Sequence, residues 1–444
     1  METIRFDQLD ETLYYEKLDN GLDVYILPKK GFSKTFVTFT TKYGSVDRSF
    51  VPIGEEDAIT VPDGIAHFLE HKMFEKEDGD VFQKFSEYGA SANAFTSFTR
   101  TAYLFSATNH LNESTETLLN FVQEPYFTEK TVNKEKGIIG QEITMYDDQP
   151  DWRLYFGTIE NMFKEHPVKI DIAGTIESID KITADHLYTC YHTFYHPSNM
   201  LLFAIGALEP EKMMEVIREN QAKKEFAKPT PIKRIEVNEQ MEVAIPERTL
   251  RMDVIKSKVS VGLKAKEINL AGRDMLKHEL AISLTLDVLF GRSSDFYTKV
   301  YEEGLIDESY SYDFSLEHGF GFAMIGSDTY QPDKLIQAIK DQLKKVEEQW
   351  PFGEEELERV KRRRIGFNLR ALNSIEFIAN QFTRYKFNDM NLFDSVSAIE
   401  ELTVADVQEA FKSLQGESQQ TVFKILPLSD GDKTVLASEG QDLK

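Results

Sequence analysis

The sequence has few or none of several features that mark secreted and membrane proteins. Its 444 residues include one cysteine, Cys190, and two tryptophans. A single cysteine cannot form an internal disulfide bond, which argues against a small disulfide-stabilised secreted domain. No stretch approaches the roughly 20 apolar residues of a membrane-spanning helix, and the first residues, 1–7, lack the basic start and apolar run of a secretory signal. These absences predict a cytoplasmic location and no membrane partner.

Positive charge is also scarce. Lysine and arginine number 51 against 75 aspartates and glutamates, which gives a formal net charge of −24. Such a surface repels phosphate backbones, so we expect no nucleic-acid partner. The local exception is the basic run 361–364, which follows three glutamates at 354–356. On one helix these charges are typical of a solvated, ion-paired face.

The most informative motif is His67-Phe68-Leu69-Glu70-His71. Side chains four residues apart lie on one face of a helix, where two imidazoles can bind one Zn²⁺ at about 2.0–2.1 Å each. Glu70 shares that face and can polarise a metal-bound water, as in the H-x-x-E-H zinc signature. Asp63 is the expected N-cap of this helix. The alternative is that histidines and a glutamate fall at helical spacing by chance.

A third zinc ligand is predicted from a second helical segment. Catalytic zinc normally has three protein ligands and an open position. Glu135 and Glu142 are seven residues apart, which is close to two helical turns, and Ile138 and Ile139 give the same segment an apolar stripe. Taken alone, two such glutamates would more often be solvated surface residues.

Together these motifs resemble the inverted-zincin peptidases of the pitrilysin, insulin-degrading enzyme and mitochondrial processing peptidase family, M16. The resemblance implies one Zn²⁺ per chain, bound by His67, His71 and Glu142. It implies that Glu70 is the general base, and that Glu135 orients a histidine or the metal cage. Residues 89–97 look like the family's substrate-pairing strand, which implies peptide contacts along the segment Asn93, Ala94, Phe95 and Thr96.

The resemblance extends over nearly the whole chain, through residues 196–200 and 361–387, and is nearest to bacterial processing-protease-like members of this length. It implies an α+β fold of two homologous LuxS/MPP-like domains, each an antiparallel sheet covered by helices, which together form half of a clamshell. The second copy would be inactive, because it has no His-x-x-Glu-His.

The pattern of periodic segments is consistent with that fold. Strand-like and helix-like stretches alternate in both halves, which favours an antiparallel sheet covered on one face. Residues 222–251 are rich in Lys, Pro and Glu and lack a sustained period. We therefore predict a zinc-bearing domain at 1–225, a linker at 226–250 and a C-terminal domain at 251–444.

One departure from the family pattern predicts a partner. Members usually carry an arginine just before a Gly-Leu pair and a tyrosine soon after, which stabilise the tetrahedral intermediate, but here Glu303 stands before Gly304-Leu305. Tyr310 or Tyr312 lies near the tyrosine position, but neither supplies a cation. The resemblance thus implies a zinc endopeptidase of short or unfolded peptides whose arginine and tyrosine come from a related chain in a heterodimer. The alternatives are a chain that works alone or as a homodimer, and a non-catalytic peptide-binding scaffold.

Overall fold

A computed structural model describes residues 1–77, 79–350 and 352–429. The strands are β1 Glu2–Phe6, β2 Glu11–Lys17, β3 Asp23–Pro28, β4 Thr35–Thr41, β5 Ser49–Val51, β6 Ile59–Thr60, β7 Glu75–Lys76, β8 Gly79–Asp80, β9 Ser91–Thr96, β10 Thr101–Ala107, β11 Met200–Gly206, β12 Lys233–Arg234, β13 Glu247–Met252, β14 Ser257–Lys264, β15 Ser311–Glu317, β16 Phe320–Thr329 and β17 Gln420–Pro427. The α-helices are α1 Ile65–Met73, α2 Val81–Glu87, α3 Leu111–Gln123, α4 Glu129–Asp147, α5 Pro150–Met162, α6 Ile176–Ile179, α7 Ala184–Phe194, α8 Pro210–Ala222, α9 Gly272–Phe290, α10 Asp295–Glu302, α11 Pro332–Glu348, α12 Glu354–Ala371, α13 Ile375–Phe387, α14 Ser395–Glu401 and α15 Val404–Phe411.

The described residues form two compact units. The first comprises residues 1–143, 170–237 and 368–394, and the second comprises the described residues of 144–169, 238–367 and 395–429. Each unit therefore takes segments from both halves of the sequence. The predicted domains at 1–225 and 251–444, with a linker at 226–250, describe two repeats along the sequence and not two compact units. This division stays a prediction. Residues 430–444 of the predicted second domain lie outside the described residues.

The first unit contains a seven-stranded sheet in the order β1-β2-β3-β11-β4-β10-β9. All neighbouring strands are antiparallel except β11 and β3, which run parallel. A parallel neighbour requires a long crossover connection, and β11 indeed returns to the sheet only after α3 to α7. The sheet is therefore antiparallel as predicted, apart from this one pair.

The second unit contains a five-stranded sheet in the order β13-β17-β14-β16-β15. The pair β13 and β17 is parallel, and the remaining neighbours are antiparallel. This order and these directions repeat those of β3-β11-β4-β10-β9 in the first unit, so the predicted duplication is present at the level of strand topology. Helix α9 follows β14 as the His-x-x-Glu-His helix α1 follows β4, but α9 lacks the motif.

The centre of the first sheet is covered on both faces. Every residue of β4 and of β11 is buried, whereas a strand with one open face would alternate buried and exposed positions. Helix α13 contributes Phe382, which packs on Phe203 and Tyr25 with ring centroids 4.6 and 4.9 Å apart. The prediction that helices cover only one face of the sheet was wrong for these central strands.

Most strongly periodic segments adopt the predicted element within a few residues. For example, the helical periodicity of residues 129–145 corresponds to α4, and that of residues 332–348 corresponds to α11. The sequence pattern predicted no helix at α5, α6, α7, α8, α10, α14 or α15. None of the helices among the described residues has the length and apolar character required to cross a bilayer.

Candidate metal centre

The His-x-x-Glu-His motif lies on α1 of the first unit. The helix begins at Ile65, and its N-cap is Gly64 with φ of 84° rather than the predicted Asp63. A side chain at Gly64 would place a Cβ 2.3 Å from the carbonyl oxygen of Ala173, so both the backbone angle and the close approach require glycine. The Asp63 carboxylate instead pairs with Arg48 Nε at 3.2 Å.

Two histidines and one glutamate converge at this helix. The rings of His67 and His71 have centroids 4.5 Å apart. Their Nε2 atoms lie 3.7 and 3.6 Å from the same oxygen, Oε2 of Glu142. One donor atom from each of the three residues lies within 4.8 Å of the others. No other group of His, Cys, Asp or Glu side chains with such spacing occurs in the part of the chain that the structure describes.

Helix α4 supplies Glu142 and, two turns earlier, Glu135. Glu135 Oε1 lies 3.2 Å from His71 Nδ1, the ring nitrogen that faces away from Glu142. A hydrogen bond at Nδ1 fixes the imidazole tautomer in which Nε2 carries the lone pair. The predicted roles of Glu135 and Glu142 are therefore sterically possible, because each reaches the imidazole atom that its role requires.

Glu70 lies on the same helix but outside this three-residue cluster. Its side chain is buried, and its Oε2 accepts a hydrogen bond of 2.7 Å from the Thr96 hydroxyl. Burial raises the pKa of Glu70, while the hydrogen bond from Thr96 and the charge of His71 oppose that change. A carboxylate with a raised pKa and a fixed orientation is suited to accept and return a proton near neutral pH.

The two histidines differ electrostatically. Burial, with a contribution from His71, lowers the pKa of His67 to about 4, so this ring is neutral at neutral pH. For His71, burial lowers the pKa, but the hydrogen bond that its ring donates to Glu135 and the charges of the nearby carboxylates outweigh burial and raise the pKa overall. A bound cation would oppose protonation of both rings.

The donor set fits zinc. Two imidazole nitrogens and one carboxylate oxygen are among the usual three protein ligands of catalytic Zn²⁺. His67 Nδ1 is buried without a hydrogen-bond partner among the described residues. Burial of a polar ring is costly unless its polar atoms are bound, and coordination of a metal ion by Nε2 would offset that cost.

The predicted substrate strand is β9, at the edge of the first sheet. It pairs with β10 alone, with Asn93 opposite Leu104 and Thr96 opposite Thr101. Its other edge has no strand partner among the described residues, as β-augmentation by a peptide requires. Oδ1 of Asn93 accepts a 2.9 Å hydrogen bond from the backbone N–H of Ala94 in the same strand. The Arg100 guanidinium lies 5.7 Å from the centroid of the Phe95 ring.

The arginine position of the second half lies in the second unit. Glu303 is the C-cap of α10 and is exposed. Tyr310 donates to the carbonyl of Phe290 at 2.9 Å, and Tyr312 donates to Asp287 Oδ1 at 2.7 Å. Both hydroxyl groups are thus engaged within their own unit.

Sequence reasoning missed two contacts at the centre. The first is the Thr96 hydroxyl on Glu70, because Thr96 was selected only for its backbone. The second is Lys72, whose side chain has no exposed surface and contacts Glu75. The signal available for Lys72 was its place between His71 and the apolar residues Met73 and Phe74, which predicts burial.

Comparison with known proteins concerns the family of the chain. The family "Insulinase (Peptidase family M16)" matches residues 51–176, and "Peptidase M16 inactive domain" matches residues 181–364. The chain is 58% identical to the "Uncharacterized zinc protease YmfH" of Bacillus subtilis (strain 168), over 97% of this chain and 100% of that protein. An M16-like peptidase structure from Alicyclobacillus acidocaldarius is 38% identical, covers 94% of this chain and 99% of its own, and superimposes with a TM-score of 0.90.

A more distant relative is named as a subunit. The chain is 29% identical, over 40% of its length and 34% of the relative's, to a mitochondrial-processing peptidase subunit beta of Arabidopsis thaliana. A protease structure from Helicobacter pylori at 20% identity has a TM-score of 0.78 and covers 94% of this chain and 99% of that one, which shows a shared fold.

Proposed function

The chain belongs to peptidase family M16, and from this premise we propose that it is a zinc-dependent endopeptidase that cleaves short or unfolded peptides. The observation that carries the proposal is the convergence of His67 Nε2, His71 Nε2 and Glu142 Oε2 on one point. The names of the zinc protease relatives support the choice of metal.

The proposed ligands are His67, His71 and Glu142, with one zinc ion per chain. Bound zinc supplies a Lewis acid that lowers the pKa of water to about 7. Glu135 then keeps a proton on His71 Nδ1, which leaves Nε2 as the donor atom. The buried, neutral ring of His67 needs no proton loss before it binds metal at neutral pH.

Glu70 is the proposed general base. Its Oε2 accepts a hydrogen bond from the Thr96 hydroxyl, which holds that oxygen beside β9. In our proposal Glu70 takes a proton from the attacking water as it adds to the peptide carbonyl. It then returns this proton to the leaving amine, so the carboxylate is regenerated in each cycle.

The substrate is proposed to extend β9 as an added strand. Residues 93–96 lie next to Glu70 through the contact of Thr96, so a peptide paired with the free edge of β9 would pass close to the base. Main-chain hydrogen bonds would provide affinity independent of sequence, and side-chain pockets would provide selectivity. Folded proteins would be poor substrates because their strands are already paired.

We further propose that a related chain completes the active site with the missing arginine and tyrosine. Glu303 cannot donate hydrogen bonds to a developing oxyanion, and the loss of one such donor costs about 2.7–4 kcal/mol of barrier. The relative named as a subunit is consistent with a heterodimer. A homodimer, or a chain that acts alone, is the alternative. The cytoplasm stays our predicted location.

A non-catalytic scaffold is the second candidate. The match of residues 181–364 to an inactive domain favours it. That match does not include residues 67–142, where the three proposed ligands and the proposed base are found, so it does not bear on the centre itself.

The experiment combines metal analysis with turnover. We expect about one zinc ion per chain in unstripped protein and hydrolysis of unstructured peptides that a chelator abolishes and Zn²⁺ restores. Activity is measured with the chain alone and with a related chain that carries the arginine and tyrosine. Zinc-loaded protein that hydrolyses nothing under either condition would favour the scaffold, and full turnover by the isolated chain would reject the heterodimer.

A further inference from the structure

Lys72, the residue that follows His71 in α1, is a lysine with no exposed side-chain surface. Lysine normally extends its ammonium group to water even when its methylene groups are covered. Removal of that charge from water is costly unless the ammonium is paired. The fold nevertheless encloses Lys72, so its charge acts on partners in the interior.

Its partners are two carboxylates from different elements. Nζ contacts Oε2 of Glu75, one turn along the chain, and lies 3.7 Å from Oε2 of Glu135 on α4. The other oxygen of Glu135, Oε1, lies 3.2 Å from His71 Nδ1. The carboxylate of Glu135 is therefore shared between the ammonium of Lys72 and the imidazole of His71.

The alternation of charge continues to the surface. Oε1 of Glu75 lies 3.8 Å from Nζ of Lys134, a largely exposed residue beside Glu135 on α4. His71, Glu135, Lys72, Glu75 and Lys134 thus form one continuous series from the cluster to solvent. All five lie in the first unit, and the series joins α1 and the short strand after it to α4.

We propose that Lys72 is a positioning residue for the metal centre, because it holds the Glu135 carboxylate in the orientation that directs His71 Nε2 toward Glu142. This inference rests on the proposed zinc site. A carboxylate with a partner at one oxygen can rotate about its last bonds, whereas the ammonium of Lys72, 3.7 Å from the second oxygen of Glu135, opposes that rotation electrostatically. Residues that orient a metal-binding imidazole typically contribute about 10- to 100-fold to metal affinity.

The two histidines differ in this support. His67 Nδ1 has no hydrogen-bond partner among the described residues, so its ring orientation depends on packing. His71 is partly exposed and more open to rotation, with 27% of its side chain accessible against 11% for His67. The residue with less packing is therefore the one whose orientation Glu135 and Lys72 support.

Zinc affinity tests the proposal without reference to catalysis. Competition with a chelator gives the zinc Kd of the wild type, Lys72→Met, Glu135→Gln and the double variant. Methionine keeps the length of the lysine side chain and removes its charge. We expect Lys72→Met to weaken zinc binding about tenfold and Glu135→Gln about 10- to 100-fold. Because Lys72 acts through Glu135, the double variant should bind zinc as weakly as Glu135→Gln alone.

A matched control separates positioning from simple burial of a charge. Lys264, in the second unit, is also a buried lysine, and it donates to Glu239 at 2.7 Å. Lys264→Met should lower the stability of the fold and leave zinc affinity unchanged. The proposal is overturned if Lys72→Met binds zinc like the wild type, or if its effect adds fully to that of Glu135→Gln.

If Lys72→Met does not fold, Glu75→Gln provides a second test of the proposal. Glu75 reaches solvent, with 31% of its side chain exposed, so this variant should fold. Lys72 would then act on Glu135 alone, and zinc affinity should stay within about threefold of wild type; a loss as large as that of Glu135→Gln would overturn the proposal. Wild-type protein without zinc affinity would instead refute the proposed function itself.

Discussion

Glu70→Gln tests most directly whether Glu70 acts as the base without binding the metal. Glutamine has about the volume of glutamate, and its amide oxygen can accept the hydrogen bond that the Thr96 hydroxyl donates to Oε2 of Glu70. Glu70 is not among the three residues whose donor atoms converge. The substitution should therefore leave the geometry of His67, His71 and Glu142 unchanged.

The expected magnitude follows from that geometry. A positioned general base contributes about 10²- to 10⁴-fold to the rate, or about 3–5 kcal/mol of barrier. Turnover should fall by that factor while zinc affinity stays within about threefold, because Glu70 neither binds nor orients the metal. The free energy of unfolding should rise slightly, since burial raises the pKa of Glu70 and glutamine carries no charge to desolvate.

The assay follows hydrolysis of a quenched fluorescent peptide under the condition in which the wild type turns over, together with zinc content and thermal unfolding. Glu77→Gln is a matched control, since Glu77 is exposed and lies shortly after α1. It should change none of the three quantities. A Glu70→Gln protein that keeps more than about a tenth of wild-type turnover would refute the role of Glu70 as base. Loss of zinc together with activity would instead identify Glu70 as a metal ligand.

Three further predictions concern other residues. Glu142→Gln should weaken zinc binding by more than about a hundredfold while the protein stays folded, because a direct ligand should exceed the 10- to 100-fold effect of an orienting residue; unchanged affinity by chelator competition would remove Glu142 from the ligand set. Burial opposes ionisation of Glu239, but hydrogen bonds from Lys264 and from backbone N–H groups at 164–166 outweigh it and lower its pKa from 4.5 to about 2. Ionised Glu239 should therefore contribute fully to the free energy of unfolding above pH 4.5, and this contribution should be lost as the pH falls toward 2. Glu239→Gln should lower the free energy of unfolding by about 3 kcal/mol at pH 7 and by progressively less in acid. Urea titrations in which the difference between the two proteins is independent of pH would contradict this. Burial raises the pKa of Cys190 to about 12, and since the thiolate is the reactive form, a thiol reagent should label the protein only as fast as it unfolds; rapid labelling of native protein would disprove the burial.

The residues of the proposed centre were identifiable from local spacing. His67 and His71 share a helix face because they are four residues apart, and Glu135 and Glu142 share one because they are seven apart. The same periodicity predicted many of the helices and strands. It failed for the N-cap of α1, where the close approach of Ala173 requires glycine at position 64. It also failed for α5 to α8, α10, α14 and α15 and for the strands β1, β2 and β13, which were not recognised.

Sequence spacing by itself determined which side chains could act together within α1 and within α4, because the helical repeat depends only on local backbone geometry. The tertiary structure alone decided which faces meet: that Glu142 approaches both imidazoles, that Thr96 binds Glu70 and that Lys72 is enclosed between Glu75 and Glu135. It also decided that β11 runs parallel to β3, and that residues 144–169 belong with the second unit. These outcomes depend on contacts between residues far apart in the chain, for which a local pattern carries no information.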